Sequence, residues 1–471
     1  MSSFWQATPF VGALLSLSLL PLLAPAVWHR FENYILSFWG MLSVAVIMTS
    51  TTASSATHVL FDTIWNDYIP FVAIIFALFT ITGGVHIHLH SRGTPFKNVC
   101  LLTIASFMAS FVGTTGASIL FIRPMLHFNK DRTYVIHTVI FFIFIVSNIA
   151  GCLTPLGDPP LFIGYLMKVP FFWPLTHLWQ PFLFVFSALL LIYWRVDSYF
   201  FRREFTPSSH VMLGLDPSIS KNAKSHKDGN AQPAEVLVSS TRMTKARIKK
   251  SISIEGKRNI ALLGLIIITA IATPSLPSIQ FTKIFGVDIT FPDCSAILLF
   301  LSIGILSYRI TPHSIHKKQH FNFHPVSEIA RVFLCIFITL APVSQMLAAG
   351  KNGPFAPLLS VMATANPAPY YFWLTGLFSS FLDNAPTYIV FFELAGGNVA
   401  NLTTTQAPIL IAISLGAVFM GALTYIGNAP NFMVRSIAKQ HGVYMPSFLG
   451  YMGWSLLILL PLFLMMSLIW L

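Results

Sequence analysis

Leu153-Thr154-Pro155-Leu156-Gly157-Asp158-Pro159-Pro160-Leu161-Phe162 returns, without a gap, as Leu423-Thr424-Tyr425-Ile426-Gly427-Asn428-Ala429-Pro430-Asn431-Phe432. Leu, Thr, Gly, Pro and Phe coincide at an offset of 270 residues, and Asp158 faces Asn428. The same offset lays Ser110-Phe111 over Ser380-Phe381, and Ile119 and Phe121 over Ile389 and Phe391. It therefore sets Gly113-Thr114-Thr115-Gly116 against Asp383-Asn384-Ala385-Pro386. Two motif pairs sharing one offset define an internal repeat.

The sequence around these motifs is apolar. Of 471 residues, 55% are hydrophobic and 9% charged, whereas a soluble domain carries about 25% charged residues. Asp, Glu, Lys and Arg are missing from 1–29, 33–61, 68–91, 98–122, 133–157, 169–194, 259–282, 332–350, 352–382, 394–434 and 440–471. About 20 apolar residues cross the hydrocarbon core as a helix. Spans are expected at 8–27, 34–53, 66–89, 133–156, 176–195, 259–276, 293–310, 327–349, 406–428 and 448–470. No basic residue precedes Phe4, so the first stretch reads as a span rather than a signal peptide. The forty-three Phe and ten Trp suit lipid-facing surfaces and interfacial belts.

Two apolar segments remain, 98–122 and 368–395, each interrupted near its middle by one of the paired tips. Loop charge decides how they run. With the N-terminus outside, Arg30 falls inside, Asp62 and Asp67 outside, and Arg92 and Lys97 inside. Arg123, Lys130 and Arg132 follow segment 98–122, so both of its flanks belong inside and it reads as a re-entrant hairpin. Segment 368–395 lacks basic flanks apart from Lys351 and opens from the outside. Each half then has five spans, an odd number, which inverts the second half relative to the first. Expected, therefore, is an all-α polytopic membrane protein of two inverted repeats, each of five spans (one broken) plus a re-entrant hairpin. The first repeat is 1–198 and the second 258–471. Between them, 199–257 is rich in Ser, Lys, Arg and Asn and reads as a flexible cytoplasmic linker. The net charge of +12 sits mainly in such loops, as the positive-inside rule requires, and gives no ground for nucleic-acid binding. Cys100, Cys152, Cys294 and Cys335 show no metal or disulfide spacing.

The breaks carry the chemistry. Backbone in lipid cannot stay unpaired, so Gly and Pro interruptions survive only where protein, water or a ligand satisfies them. Broken helices at matching places in two halves point to a transporter's substrate site. An ionised side chain at the bilayer centre costs about 2.5–3.5 kcal/mol on insertion scales, so a carboxyl there trades readily between a proton and a cation. Asp383 and Asp158 are the candidate Na⁺-binding carboxylates, with Asn384, Asn428, Thr154, Thr424, Thr115 and Asn148 as neutral oxygen ligands. Plainer readings stand beside these. Asp158, Asn428 and Asn384 suit helix N-caps, and Asp383 suits a hairpin-tip hydrogen bond. The threonines suit bonds to their own helix carbonyls, and Asn148 suits an interhelical clamp. Arg123 suits an anchor at the cytoplasmic edge and Glu393 an interfacial position. His137 reads as a packed helix residue, and His86-Ile87-His88-Leu89-His90 as solvated histidines capping a membrane helix.

Gly113-Thr114-Thr115-Gly116-Ala117-Ser118 with Arg123-Pro124, Ser147-Asn148, Leu153 to Pro160, Leu382-Asp383-Asn384-Ala385-Pro386 and Thr424 to Asn428 resemble bacterial NhaD-type sodium/proton antiporters. These belong to the ion-transporter superfamily, with arsenite permeases and citrate and dicarboxylate transporters as relatives. The resemblance covers nearly everything except 200–256. It implies scaffold and transport parts in each repeat, a homodimer and elevator-like alternating access. The dicarboxylate carriers have paired Ser-Asn-Thr tips, and this chain does not. The expected activity is exchange of Na⁺ (or Li⁺) for H⁺ across the cytoplasmic (inner) membrane, with both termini on the outer side and no cofactor. The alternative is an anion carrier, a citrate or dicarboxylate symporter or an arsenite efflux permease. No His-x-x-Glu-His-like set or Gly-x-Ser-x-Gly supports an enzyme.

Overall fold

The computed structural model describes residues 4–89, 92–205, 252–319, 321–348, 353–354 and 366–471. Among these residues the chain is overwhelmingly helical, and nine helices are long and apolar enough to cross a membrane. The fold is that of an all-α polytopic membrane protein.

The first half opens with α1 (Thr8–Leu23) and α2 (Pro25–Ser50). α3 (Ala53–Asp62) passes through a π-helical turn, Thr63–Tyr68, into α4 (Ile69–Gly83). α5 (Pro95–Val112) and α6 (Thr114–Phe128) form a hairpin, followed by α7 (Ile136–Ile145), α8 (Pro159–Leu166) and α9 (Trp173–Phe205). The second half holds α10 (Lys257–Ala272), α11 (Phe291–Ile310), α12 (His313–Gln319) and α13 (His324–Ala348). A second hairpin, α14 (Ala368–Ser379) and α15 (Asn384–Leu394), leads through a turn of helix, α16 (Val399–Leu402). It continues into α17 (Ala407–Met420), α18 (Ala429–Gln440) and α19 (Phe448–Trp470). Many of these helices begin with Pro in the first turn, where a missing N–H leaves no bond unmade.

Hairpin, helix, break, helix and long helix thus recur in the same order at the offset of 270. The hydrogen bonds recur with them. Ser110 Oγ donates to the Ala150 carbonyl at 2.8 Å, and Ser380 Oγ to the Met420 carbonyl at 3.1 Å. Thr154 Oγ1 donates to the Ser110 carbonyl and Thr424 Oγ1 to the Ser380 carbonyl. The Leu156 and Ile426 amides each donate to those threonine hydroxyls at 3.2 Å. Each break is therefore satisfied by its hairpin, as low dielectric demands. Gly157 passes so close to Gly151 that a Cβ would stand 2.3 Å from the Gly151 oxygen, and Gly427 repeats this against Gly421 at 2.6 Å. The tips differ: Gly113 turns at φ +82°, and its counterpart Asp383 at φ −65°.

Around the hairpins and breaks lie α1, α2, α4, α10, α11 and α13. α4 packs on α11 and α10, and α13 on α2 and α1. One apolar core runs through both halves. Leu457 and Leu468 on the outside are more than three-quarters exposed, as a lipid-facing surface requires.

The foot of the first hairpin is ionic. Asp197 of α9 is fully buried and accepts from Arg132 Nη2 at 2.8 Å, Asn98 Nδ2 at 3.0 Å and Tyr193 at 3.2 Å. His137 Nε2 lies 2.9 Å from the same carboxylate, and Arg132 Nε donates to Glu204 at 2.7 Å. His137 is thus the packed, hydrogen-bonded residue expected of it.

Several expectations need correction. His86–Leu89 forms a strand, β1, rather than a helix cap. It pairs antiparallel with β2, Ile252–Glu255, at the end of the segment read as linker. The alternating pattern fits a strand because a partner strand exists across the loop. A second hairpin, β3 (Gln280–Ile284) and β4 (Val287–Thr290), turns on Phe285 and Gly286, both at positive φ. That is the backbone a two-residue hairpin favours. The boundary at 199 also falls inside α9, which continues to Phe205. Most of the linker, 206–251, lies outside the described residues, as does His90.

Candidate functional site

The two breaks and the two hairpin tips meet at one carboxylate. Asp158 is 1% exposed and ends the first break. One of its oxygens accepts from Thr114 Oγ1 at 2.7 Å and from Asn428 Nδ2 at 3.5 Å. The other accepts from Asn384 Nδ2 at 2.9 Å. Thr114 begins α6, Asp158 precedes α8, Asn384 begins α15 and Asn428 precedes α18. Four helix N-termini therefore converge. Thr114 and Asn384 are partners under the 270-residue offset, as are Asp158 and Asn428.

A polar belt extends from this point. Asn428 Nδ2 also donates to the Ser147 carbonyl at 3.1 Å and to Asn148 Oδ1 at 3.2 Å. Asn148 donates to Asn431 Oδ1 at 2.8 Å, and Asn431 to the Gly421 and Thr424 carbonyls at 2.8 and 3.0 Å. Asn384 Oδ1 accepts from Ser379 at 2.7 Å, which fixes its amide toward Asp158. Asp383 is half-buried and accepts from its neighbour's amide, Asn384 N, at 3.0 Å.

Beside them opens a cavity of about 90 Å³. Thr114, Thr115, Asp158, Asp383 and Asn428 form its polar end. Phe71, Leu78 and Phe79 of α4, with Ile329 and Phe333 of α13, form an apolar wall. No Lys or Arg lines it among the described residues. The cavity lies where the hairpins and broken helices face the surrounding helices.

Six of the eight candidate residues thus belong to the cluster or its cavity: Asp158, Asp383, Asn384, Asn428, Asn148 and Thr115. Asp158 and Asn428 occupy N-cap positions but make no side-chain cap bond to their own helices. Asn428 turns to the other half instead, and Asp158 bonds both its own hairpin tip and the other half. Thr154 and Thr424 do not reach the cavity; they bond hairpin carbonyls and hold the breaks in place. They bond the neighbouring hairpin rather than their own helices. Thr114, not Thr115, binds Asp158. The signal was in the repeat, which pairs Thr114 with Asn384. Asn431, Ser379 and Ser147 were not anticipated. Asn431 sits one helical turn past Asn428 and so shares its face.

Four N-termini each carry about half a positive charge, and together they make a site for negative charge. Asp158 uses that field and three neutral donors. Asp383 has one backbone donor and lines the cavity.

Paired breaks and hairpin tips around a shared polar cavity, inside a bundle of apolar helices, define a multi-pass membrane transporter of the ion-transporter type. Residues 1–471 match the model of the family described as "Putative citrate transport", and the chain belongs to that family. It is also similar to the P protein of Sus scrofa, 23% identical over 430 residues. That match covers 78% of this chain and 48% of the P protein, so the chain spans about half the length of that curated relative.

Proposed function

We propose that the protein is a secondary transporter of citrate-like polycarboxylate anions, driven by a cation gradient. The observation that carries this reading is the convergence of four helix N-termini on one cavity, within a chain whose whole length matches a citrate transport family. The N-termini offer amide donors and positive dipole ends to carboxylate groups. Asp158 is already compensated by its three donors. Asp383 holds the coupling Na⁺ or H⁺, and that positive charge offsets repulsion between the site and its anion. Cation binding therefore precedes anion binding. The two repeats, 1–198 and 258–471, are inverted across the membrane, with 199–257 on the cytoplasmic side, both termini outside and two copies per transporter. The hairpins and broken helices then move against α4 and α13 to open the cavity to each side in turn.

One observation favours a second reading. Two carboxylates and, among the described residues, no basic residue line the cavity, which also suits Na⁺ (or Li⁺) for H⁺ exchange of the NhaD type without an anion.

The test uses full-length protein in liposomes, with labelled citrate outside and imposed Na⁺ or proton gradients. Expected is gradient-driven accumulation of citrate, reduced at least about tenfold by Asp383→Asn, the loss of one charged contact. No citrate uptake, together with Na⁺- or Li⁺-dependent proton release seen by a pH dye, would replace the first reading by the second.

A further inference from the structure

Two of the four helices whose N-termini bound the central cavity, α6 and α18, have a second feature in common. Their C-terminal ends border another cavity, of about 610 Å³, with β1 on a third side. α6 is 15 residues long and α18 is 12, so this cavity lies about 20 Å from the first at 1.5 Å per residue. Apart from Tyr444, its titratable lining is basic. His86 and His88 come from β1, Arg123 and His127 from α6, Lys130 and Arg132 from the following loop, and His441 from beyond α18. No Asp or Glu lines it among the described residues.

The nearby acids are paired, and two of the lining side chains share in this: Arg132 holds Asp197 and Glu204, and His88 lies 3.7 Å from Glu255. Asp131 pairs with Arg92, and Glu255 also with Lys318. Arg132, whose side chain is 1% exposed, still keeps Nη1 buried with no hydrogen-bond partner among the described residues. Nδ1 of His86 is likewise buried and unpartnered. Natural structures rarely leave such donors unmet unless an ion or water takes them. Lys130 and His127 remain exposed at the mouth.

We propose that this cavity is a second, peripheral anion site that takes a phosphate group, supplied by an anionic lipid headgroup or by free phosphate. Donors approach from three separate elements, and a tetrahedral oxyanion can accept from all of them where a planar carboxylate offers one fork. The site sits where the spans end, the depth at which basic pockets meet headgroups. Its occupant would tie the far ends of α6 and α18 to the β1–β2 pair, and so restrain the elements that bound the central cavity.

The test is binding, independent of transport. Purified full-length protein in non-ionic detergent is unfolded thermally by tryptophan fluorescence. Sodium phosphate, dioctanoyl phosphatidate and citrate are each compared with sodium chloride of equal ionic strength. Expected is a rise of the midpoint with phosphatidate, and an apparent affinity weakened about tenfold or more in the Lys130→Gln/His127→Gln variant. A rise with free phosphate as well identifies the bare phosphate as sufficient; a rise with phosphatidate alone identifies the headgroup. Should the double variant prove unstable, Lys130→Gln alone serves, with a smaller expected loss. No rise above chloride with either phosphate probe, an equal response in the variants, or a rise with citrate only would overturn the proposal.

Discussion

The feet of the two hairpins do the same job with opposite chemistry. In the first half, Asn98, Asn129, Arg132, His137, Tyr193 and Asp197 form a buried polar and ionic cluster. At the offset of 270 the second half carries Ala368, Val399, Leu402, Ala407, Phe463 and Ser467. Ala368, Leu402 and Phe463 are fully buried. Near the cavity, by contrast, the halves keep matching glycines, serines and threonines. The fold is thus indifferent to what anchors a hairpin but strict about how a helix is broken. A buried ion pair is weak evidence for stability, because desolvation offsets most of its attraction. The ionic foot fixes position more than it adds free energy.

The largest effect should come from breaking that foot on one side. Asp197→Ala leaves Arg132 buried without its main partner and should cost about 3–5 kcal/mol. Its counterpart Ser467→Ala should stay within about 0.5 kcal/mol, as for a site away from special features. Thermal unfolding in detergent compares them, and equal losses would end the distinction between the feet.

Next come the matched glycines. Gly157→Ala and Gly427→Ala each drive a methyl into a backbone oxygen and should each cost about 1–3 kcal/mol. Transport should fall in both. If only one half responds, the breaks are not equivalent.

A smaller change sharpens the comparison further. Giving the first foot the second foot's residues (Asn98→Ala, Asn129→Val, Arg132→Leu, His137→Ala, Tyr193→Phe and Asp197→Ser together), with Glu204→Gln so that no buried charge is left unpaired, should leave stability within about 1 kcal/mol of the parent. A loss as large as that of Asp197→Ala would show the ions to be energetically required.

The smallest effect lies at the exposed edge of the strand pair. The hydrogen bond from Lys318 holds the Glu255 carboxyl below its ordinary value. The pair therefore contributes above the ordinary glutamate range, and its contribution fades as pH falls through the lowered value. Lys318→Gln should cost a few tenths of a kcal/mol at neutral pH. That difference should vanish in acid, which a pH series of unfolding midpoints would detect.

The spans, the hairpin tips and the breaks were legible in the sequence because long uncharged runs and Gly-Pro interruptions are local signals. So were Asp158, Asn428 and Asn384, which the repeat marks. The foot of the first hairpin was not legible. Arg132 and Asp197 are 65 residues apart, and each reads alone as a charge at the end of a span. Only packing of α5, α7 and α9 shows that they neutralise each other. Thr114 was passed over for Thr115 because one residue of helical phase, about 100°, decides which hydroxyl turns toward Asp158. The strand β1 was missed because its partner lies far along the chain.

That last separation has a consequence in time. During synthesis His86–Leu89 emerges about 160 residues before Ile252–Glu255, a wait of roughly 8–30 s at ribosomal speed. Until then the first half carries an unpaired strand edge beside its histidines. The closing of β1 on β2 is therefore a late stitch, made only once the whole first half has emerged.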